Sequence, residues 1–250
     1  MALTALGLLM VTGRGSGAAA PSPDRLSLGV VAIEARIGKE RVRSSGAIVD
    51  ARAGLVVTTA HTVWGATSLR LTTGLGILHG RLVARAPCAG LAVIEIQPRI
   101  PGLAALPSGG ADDELLTAVG RREGLLASIP LRLVGAGRRA DPPLEGALRL
   151  DTTVVPEASG GPILDGEGKL AALAAGGSLA IPWSTVEARL AELQVDERRI
   201  YVGWRDYYRC APALHDYALR EHPGYRKDDA VINAPVPATR LPGTQELDEQ

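Results

Sequence analysis

Between residues 28 and 182, short apolar runs alternate with turn residues along the chain. The first series of predicted strands consists of 29–36, 42–50, 54–60, 68–73, 80–85 and 91–96. After a looser segment, the second series consists of LLTAVG, PLRLVGAG, ALRLDTTVV, GPILD and KLAALAAG. Strands that recur about every ten residues, with Gly and Pro between them, indicate a β-barrel or sandwich rather than alternating βαβ units. Two series of similar length predict two barrels.

The pattern changes after the second series. In STVEARLAEL (184–193), Val186, Leu190 and Leu193 share one helical face, and Ser184 is a suitable N-cap. Six of the eight aromatic residues of the chain then lie between positions 201 and 225. Residues 196–250 therefore form a distinct C-terminal segment, with one predicted helix over 212–222 and a mobile tail beyond about residue 234.

Composition and charge exclude several classes of function. The 250 residues include 27 basic and 27 acidic side chains, so no net charge attracts nucleic acid or an anionic membrane surface. The N-terminal apolar run is too short to span a bilayer, which needs about 20 residues. It fits a signal-peptide core, with cleavage after Ala20 and a linker over 21–27, and it predicts a secreted or extracytoplasmic protein. A disordered, Ala-rich leader on a cytoplasmic protein is the alternative.

The cysteines and histidines give no framework of ligands. Cys88 and Cys210 allow one disulfide, and two buried free thiols are the alternative. The four histidines and these two cysteines lack the spacing of a zinc site, so neither a metal nor another cofactor is expected.

Two residues can form a nucleophilic pair. His61 follows a predicted strand in TTAH, and Ser159 lies 98 residues later in EASGGP. A serine hydroxyl is a poor nucleophile at neutral pH and needs an adjacent base, a role that suits histidine. Ser-Gly-Gly-Pro alone is equally typical of a turn.

Three blocks in this order resemble the chymotrypsin/trypsin-like serine peptidases, in particular their bacterial HtrA-like branch. The blocks are GAIVDARAGLVVTTAHTVWGA, AGLAVIEI and TTVVPEASGGPILDGEGKLAAL, and GGSLAIPWSTVEARLAEL continues the resemblance. It implies an all-β fold of two six-stranded antiparallel β-barrels with a C-terminal helix. The implied peptidase domain covers 28–195, with barrel one at about 28–97, barrel two at about 112–182 and the closing helix at 184–193. A PDZ domain is not expected.

The resemblance assigns Ser159 as nucleophile and His61 as general base, but the position of the orienting acid is Gly90. No Asp or Glu occurs between His61 and Ile94, and Glu95 lies inside the strand. In the mechanism of this family, the acid holds the histidine tautomer and stabilises the imidazolium, and its loss costs about 10⁴ in turnover.

A second departure concerns the oxyanion hole, which the backbone N–H groups of Glu157 and Ser159 are expected to form. The family has glycine at position 157, and the loss of one donor costs about 10²–10³. A glutamate there also adds like-charge repulsion. Thr153, Gly176 and Gly177 are the expected specificity pocket, and their lack of charge favours small or aliphatic substrate side chains.

Two functions remain open. One is an exported serine endopeptidase of reduced efficiency that forms an acyl-enzyme on Ser159, and the other is a pseudoprotease that binds a peptide or protein. A disulfide between Cys88 and Cys210 would bring the C-terminal segment close to His61. The segment would then supply a carboxylate from Asp206 or Asp216, or cover the cleft. The oligomeric state is left open.

Overall fold

The computed structural model describes only part of the chain, and the described residues are 22–109, 115–122, 125–137, 144, 146–191, 195–196, 199–200 and 204–226. For 195–196, 199–200 and 204–208, only the backbone is described. The predicted signal peptide and the tail beyond residue 234 lie outside the described residues.

The first barrel is closed and antiparallel. Its strands are β1 (Val30–Ile37), β2 (Glu40–Asp50), β3 (Leu55–Thr59), β4 (Ala66–Thr73), β5 (Gly76–Ala86) and β6 (Leu91–Gln97). They follow one another around the barrel in the order β1-β2-β3-β6-β5-β4. Alternate residues of β1 are buried in its core, as a two-residue period requires: Val31, Ile33, Ala35 and Ile37.

The second sheet is a curled half of the same architecture. Its strands are β7 (Leu116–Arg122), β8 (Leu125–Leu131), β9 (Leu133–Ala136), β10 (Leu148–Val154), β11 (Pro162–Leu164), β12 (Leu170–Ala174) and β13 (Gly177–Pro182). Their order is β8-β7-β11-β12-β13-β10-β9. Only Arg132 separates β8 from β9, so one bent strand supplies both ends of the sheet. Counted in this way the sheet has the six strands expected, and the predicted all-β, two-barrel fold is confirmed.

Helices are few. They are α1 (Pro23–Gly29), α2 (Ala60–Val63), a 3₁₀ turn at Pro156–Ala158, α3 (Trp183–Ala191) and α4 (Trp204–Glu221), with a short hairpin of β14 (Val195–Asp196) and β15 (Arg199–Ile200) before α4. Helix α4 is longer than the predicted 212–222 and contains Pro212. In the described part of the chain, no helix has the length and apolar character needed to cross a membrane.

Helix α4 packs against the first barrel. Ala211, Leu214 and Ala218 on its inner face are buried in the same core as Trp64. The indole N–H of Trp64 donates to Nδ1 of His215 at 3.3 Å. Cys210 is joined to Cys88, which lies three residues before the start of β6, by a disulfide with a Cα–Cα distance of 5.1 Å. The C-terminal segment thus lies beside the short helix that carries His61.

Candidate active site

His61 is the second residue of α2, which follows directly after the end of β3. Thr59 ends the strand, and its carbonyl accepts a 3.0 Å hydrogen bond from the hydroxyl of Thr62. The N–H of Ala60 donates to the carbonyl of Gly90 at 2.6 Å. These bonds turn the chain at the barrel rim, so that His61 projects towards the second sheet.

Ser159 follows the 3₁₀ turn, in a loop held against the first barrel. Its carbonyl accepts the N–H of Ser45 at 2.8 Å. Gly160 has a φ of +79°, and a Cβ there would lie 2.4 Å from the carbonyl oxygen of Ser45 and 2.1 Å from the hydroxyl of Thr58. Only glycine fits this left-handed position between the two barrels. The Ser-Gly-Gly-Pro sequence is therefore a contact between barrels as well as a turn.

The fold brings the two candidate residues together. Oγ of Ser159 lies 3.4 Å from Nε2 of His61 and 3.3 Å from Oγ1 of Thr59. A working nucleophile and base lie within about 2.6–3.2 Å, and the distance is often longer without substrate. The pair therefore has the arrangement that the sequence predicts, with a loose contact.

The space of the orienting acid is filled by an apolar side chain. Gly90 has a φ of +68°, and a Cβ built on it would lie only 2.0 Å from Cδ2 of Leu144 and 3.6 Å from Cδ1 of Ile181. Among the residues that the structure describes, none forms a hydrogen bond with the buried Nδ1 of His61. The absence of an acid at position 90 is thus accompanied by a local apolar environment.

Two of the candidate replacement acids, Glu95 and Asp216, form no hydrogen bond with the histidine. Glu95 is paired with Arg81 at 2.6 Å and with Arg99 at 3.1 Å. Burial opposes ionisation of Glu95, but the hydrogen bonds from the two arginines outweigh it and lower its pKa. Asp216 is exposed on α4, and the side chain of Asp206 lies outside the described residues.

Burial makes His61 a weak base. Desolvation of the ring, with a smaller contribution from the charge of His222, lowers its pKa from 6.5 to about 4. Tyr217 of α4 lies against it edge to face, with 5.7 Å between ring centroids. At neutral pH the imidazole is therefore neutral and can accept a proton, but no described residue bonds Nδ1 to support the imidazolium that attack on a substrate would form.

The expected oxyanion hole is closed. The N–H of Ser159 donates to the carbonyl of Pro156 at 3.0 Å, across the 3₁₀ turn. Ser45 accepts the N–H of Arg121 on its hydroxyl oxygen at 3.0 Å and donates to the carbonyl of Glu157 at 2.7 Å, which fixes the loop from behind. One of the two predicted donors is thus already bonded within the protein.

Glutamate at position 157 favours this closed loop. Freeing the Ser159 N–H requires the Pro156–Glu157 peptide to rotate by about 180°, which takes φ of Glu157 from about −60° in a 3₁₀ turn to about +120°. Glycine adopts positive φ freely, whereas another residue loses about 1–3 kcal/mol there. A residue with a side chain at position 157 therefore disfavours the backbone conformation that would open the loop.

Ser159 and His61 open into a cavity of about 520 Å³. Gly176 and Gly177 line it as predicted from the sequence, together with Leu179 of β13. The structure does not bring Thr153 to this cavity: it is exposed on β10, whose pairing with β13 shifts register between Arg149 and Val154.

Helix α4 and the segment after it supply the other wall. Tyr217, Glu221 and His222 line the cavity, and His222 bonds through Nδ1 to the carboxylate of Glu40 at 3.1 Å. The described part of the disulfide-tethered segment thus borders the cleft. The sequence indicated this placement only through the closeness of Cys88 to position 90. Within the described residues, no cluster of His, Cys, Asp and Glu can hold a metal ion.

Comparison with known proteins agrees with this geometry. The family model for the trypsin-like peptidase domain matches residues 44–173, just over half of the chain. The chain therefore belongs to the family of trypsin-like peptidases. A search of curated sequences gives no significant match.

Solved structures of HtrA-type proteases share the fold. A serine endoprotease from Yersinia pestis is 20% identical, with a TM-score of 0.56 over 67% of this chain and 64% of that one. The HtrA-type protease AlgW with tripeptide is 22% identical, with a TM-score of 0.58 over 69% and 63%. The Rv3671c protease from M. tuberculosis in its active form is 18% identical, with a TM-score of 0.57 over 76% and 96%. The chain spans less than two thirds of the first two proteins.

Proposed function

We propose that this chain is an exported peptide-binding protein on a trypsin-like peptidase scaffold, in which Ser159 is acylated slowly at most. The observation that carries the proposal is the hydrogen bond from the Ser159 N–H to the Pro156 carbonyl, which removes an oxyanion donor. A second observation also supports the proposal, because no described residue forms a hydrogen bond with Nδ1 of His61. Loss of one oxyanion donor lowers turnover by about 10²–10³, and loss of the orienting acid lowers it by about 10⁴. The two factors do not simply multiply, because the residues of the site act as a unit.

A serine endopeptidase that works through an acyl-enzyme on Ser159 is the second candidate. Two observations favour it: the 3.4 Å contact between Ser159 Oγ and His61 Nε2, and the open cavity of about 520 Å³ beside them. Rotation of one peptide plane, between Pro156 and Glu157, would free the bonded donor. The two candidates thus differ in how often the loop adopts that conformation.

The ligand is a peptide segment in both cases. Gly176 and Gly177 leave space beside Ser159, and Leu179 and Leu144 add apolar walls without charge at this end. Such walls accept small or aliphatic side chains.

Export rests on two features. The N-terminal apolar run has the length of a signal-peptide core. The disulfide between Cys88 and Cys210 is typical of proteins that fold in an oxidising compartment.

Labelling with a fluorophosphonate probe separates the two candidates. We expect the wild-type protein to react at a rate at least 100-fold below that of trypsin measured alongside, since loss of one oxyanion donor alone costs about 10²–10³. The Ser159→Ala variant should not react. Ser178→Ala is the matched control, because Ser178 lies on β13 next to the cavity and does not line it. It should react like wild type.

The outcomes discriminate as follows. Labelling of wild type within tenfold of trypsin would contradict the proposal and establish the peptidase. If wild type reacts no faster than Ser159→Ala, acylation is excluded and the binding function remains.

A further inference from the structure

A second cavity, of about 300 Å³, lies directly beside the catalytic one. It is formed by β1, β2 and β4 of the first barrel, by β7 of the second sheet and by Glu157 of the 3₁₀ turn before Ser159. Glu34 on β1 lies opposite Arg43 on β2 and opposite Arg70 on β4. Directly opposed residues on antiparallel strands project to the same face, so these three side chains form one row across the cavity.

Positive charge predominates in this cavity. Four arginines line it against two glutamates: Arg43, Arg70, Arg121, Arg122, Glu34 and Glu157. Glu34 is already within 3.5 Å of Arg41 and 3.9 Å of Arg43. The formal charge of the lining is therefore positive by two.

Two of these arginines are available to a ligand. Arg121 is committed to the protein, because its guanidinium donates to the carbonyl of Val30 at 2.8 Å and to the hydroxyl of Ser27 at 2.9 Å. Arg70 and Arg122 are exposed, and no ion pair joins either of them to another residue in the described ranges. A guanidinium binds a carboxylate through two parallel hydrogen bonds, so this pair suits an acidic group.

This second cavity, called the arginine cavity, adjoins the catalytic cavity beside Ser159 and His61. Arg43 lines both cavities, and Glu157, which lines the arginine cavity, is two residues from Ser159. Gly176 and Gly177 line only the catalytic cavity. A peptide that crosses Ser159 from these glycines towards Arg43 therefore reaches the arginine cavity within a few residues.

We propose that the arginine cavity is a subsite for an acidic side chain of the peptide that lies across Ser159. Arg70 and Arg122 bind the carboxylate, and Arg43 borders the passage from the catalytic cavity. This inference rests on the proposed peptide-binding function and requires no turnover. Glu157 lines the arginine cavity and not the catalytic one. This placement does not favour the repulsion between its carboxylate and an oxyanion that the sequence predicts.

The test uses two amidated, fluorescein-labelled octapeptides and the full chain with Ser159→Ala, which prevents turnover. One peptide is Glu-Glu-Ala-Val-Ala-Val-Glu-Glu, and the other has Gln in place of each Glu. In both peptides, the four small apolar residues at the centre have two Glu or two Gln residues on each side. An end residue can therefore reach the arginine cavity whichever way the peptide runs across Ser159. We expect fluorescence anisotropy at low ionic strength to give about tenfold tighter binding for the Glu peptide, in line with a charge-assisted contact to arginine.

Variants locate the effect. Arg70→Gln and Arg122→Gln, each in the Ser159→Ala background, should reduce the preference for the Glu peptide to less than about threefold. Arg36→Gln is the matched control: Arg36 is exposed on the same strand as Glu34 and lines neither cavity. It should keep the full preference.

Three results would overturn the subsite. The Glu peptide binds no more tightly than the Gln peptide, or the arginine variants keep the preference. The third result is that inorganic phosphate binds at the arginines without displacing the Glu peptide. The arginines would then form a site for a free anion and not for the peptide. A competition experiment with an apolar peptide tests the proposed function itself. If the chain does not bind peptides across Ser159, the apolar peptide will displace neither labelled peptide.

Discussion

Replacing Glu157 with glycine is expected to accelerate the reaction of Ser159 with a fluorophosphonate by about 10- to 100-fold. The closed loop is stable because its open alternative places residue 157 at a positive φ, which costs a side-chain-bearing residue about 1–3 kcal/mol. Glycine removes that cost. The rotated peptide frees the Ser159 N–H and turns the N–H of residue 157 towards the oxyanion, and each donor contributes about 10²–10³ to the rate.

The Glu157→Ala variant separates backbone geometry from charge. It removes the carboxylate but keeps the Cβ, so we expect its rate to stay within about threefold of wild type. The measurement is the second-order rate constant of labelling, with Ser159→Ala as the blank. If alanine accelerates the reaction as much as glycine does, charge and not backbone conformation limits the site. If neither variant changes the rate, the closed loop is not what limits it.

Loss of the disulfide through Cys210→Ser is expected to lower the free energy of unfolding by about 4 kcal/mol. The bridge spans 122 residues, and in the chain-entropy description a loop of that size gives about 4–5 kcal/mol, with measured values typically lower. The double variant Cys88→Ser, Cys210→Ser is the control for a free thiol and should lose the same amount. Urea unfolding under non-reducing conditions measures both. A loss below about 1 kcal/mol in both variants would show that the packing of α4 holds the segment without the bridge.

The same variant should expose His61. Tyr217 contacts the imidazole, and α4 reaches this position from its anchor at Cys210. Release of the helix would hydrate the ring, so the pKa of His61 should rise from about 4 towards 6.5. Amide hydrogen exchange should show faster exchange in α4 than in β3.

Much of the fold follows from local pattern. Strand length and turn residues are enough to predict the first barrel, because its apolar runs are short and regularly separated by turns. Burial along the strands is less regular: β3 is buried at every position, and part of β5 alternates. The helix at Trp183–Ala191 begins one residue before its predicted start. The pairing of Ser159 with His61 could be predicted because both lie in loops whose shape follows from neighbouring residues, such as the left-handed Gly160.

Other features of the site depend on contacts between distant segments. Leu144 fills the space beside Gly90, although 54 positions separate them and nothing in either segment indicates the contact. Thr153 is expected at the pocket from its spacing to Ser159, but it does not line the cavity beside Ser159. Spacing along the chain does not show how β10 pairs with β13, and that pairing shifts register between Arg149 and Val154. The arginine cavity collects residues from four strands and the nucleophile loop, which no local pattern joins.

The closed oxyanion hole illustrates the same limit. The sequence shows that glycine is absent at position 157, but it does not show which of two peptide orientations the loop adopts. That choice depends on Ser45, which binds the Glu157 carbonyl from the other barrel at 2.7 Å. The structural consequence of the substitution therefore depends on a contact between residues 112 positions apart.

We infer that none of the described residues stabilises a protonated His61, and titration of this imidazole in the folded protein tests the inference most directly. Because the folded pKa of about 4 lies below the ordinary value of 6.5, the unfolded chain binds more protons in this window. The contribution of neutral His61 to the free energy of unfolding is therefore complete above pH 6.5. It decreases by up to about 3 kcal/mol as the pH falls towards 4. His61→Gln should reduce this acid-dependent loss.

The measurement is an NMR titration of the His61 imidazole in labelled protein, assigned by comparison with His61→Gln. We predict a pKa of about 4, with the ring neutral throughout the neutral range. A pKa at or above 6.5 would show that a carboxylate or water supports the imidazolium, and it would contradict the account of a weakened catalytic pair.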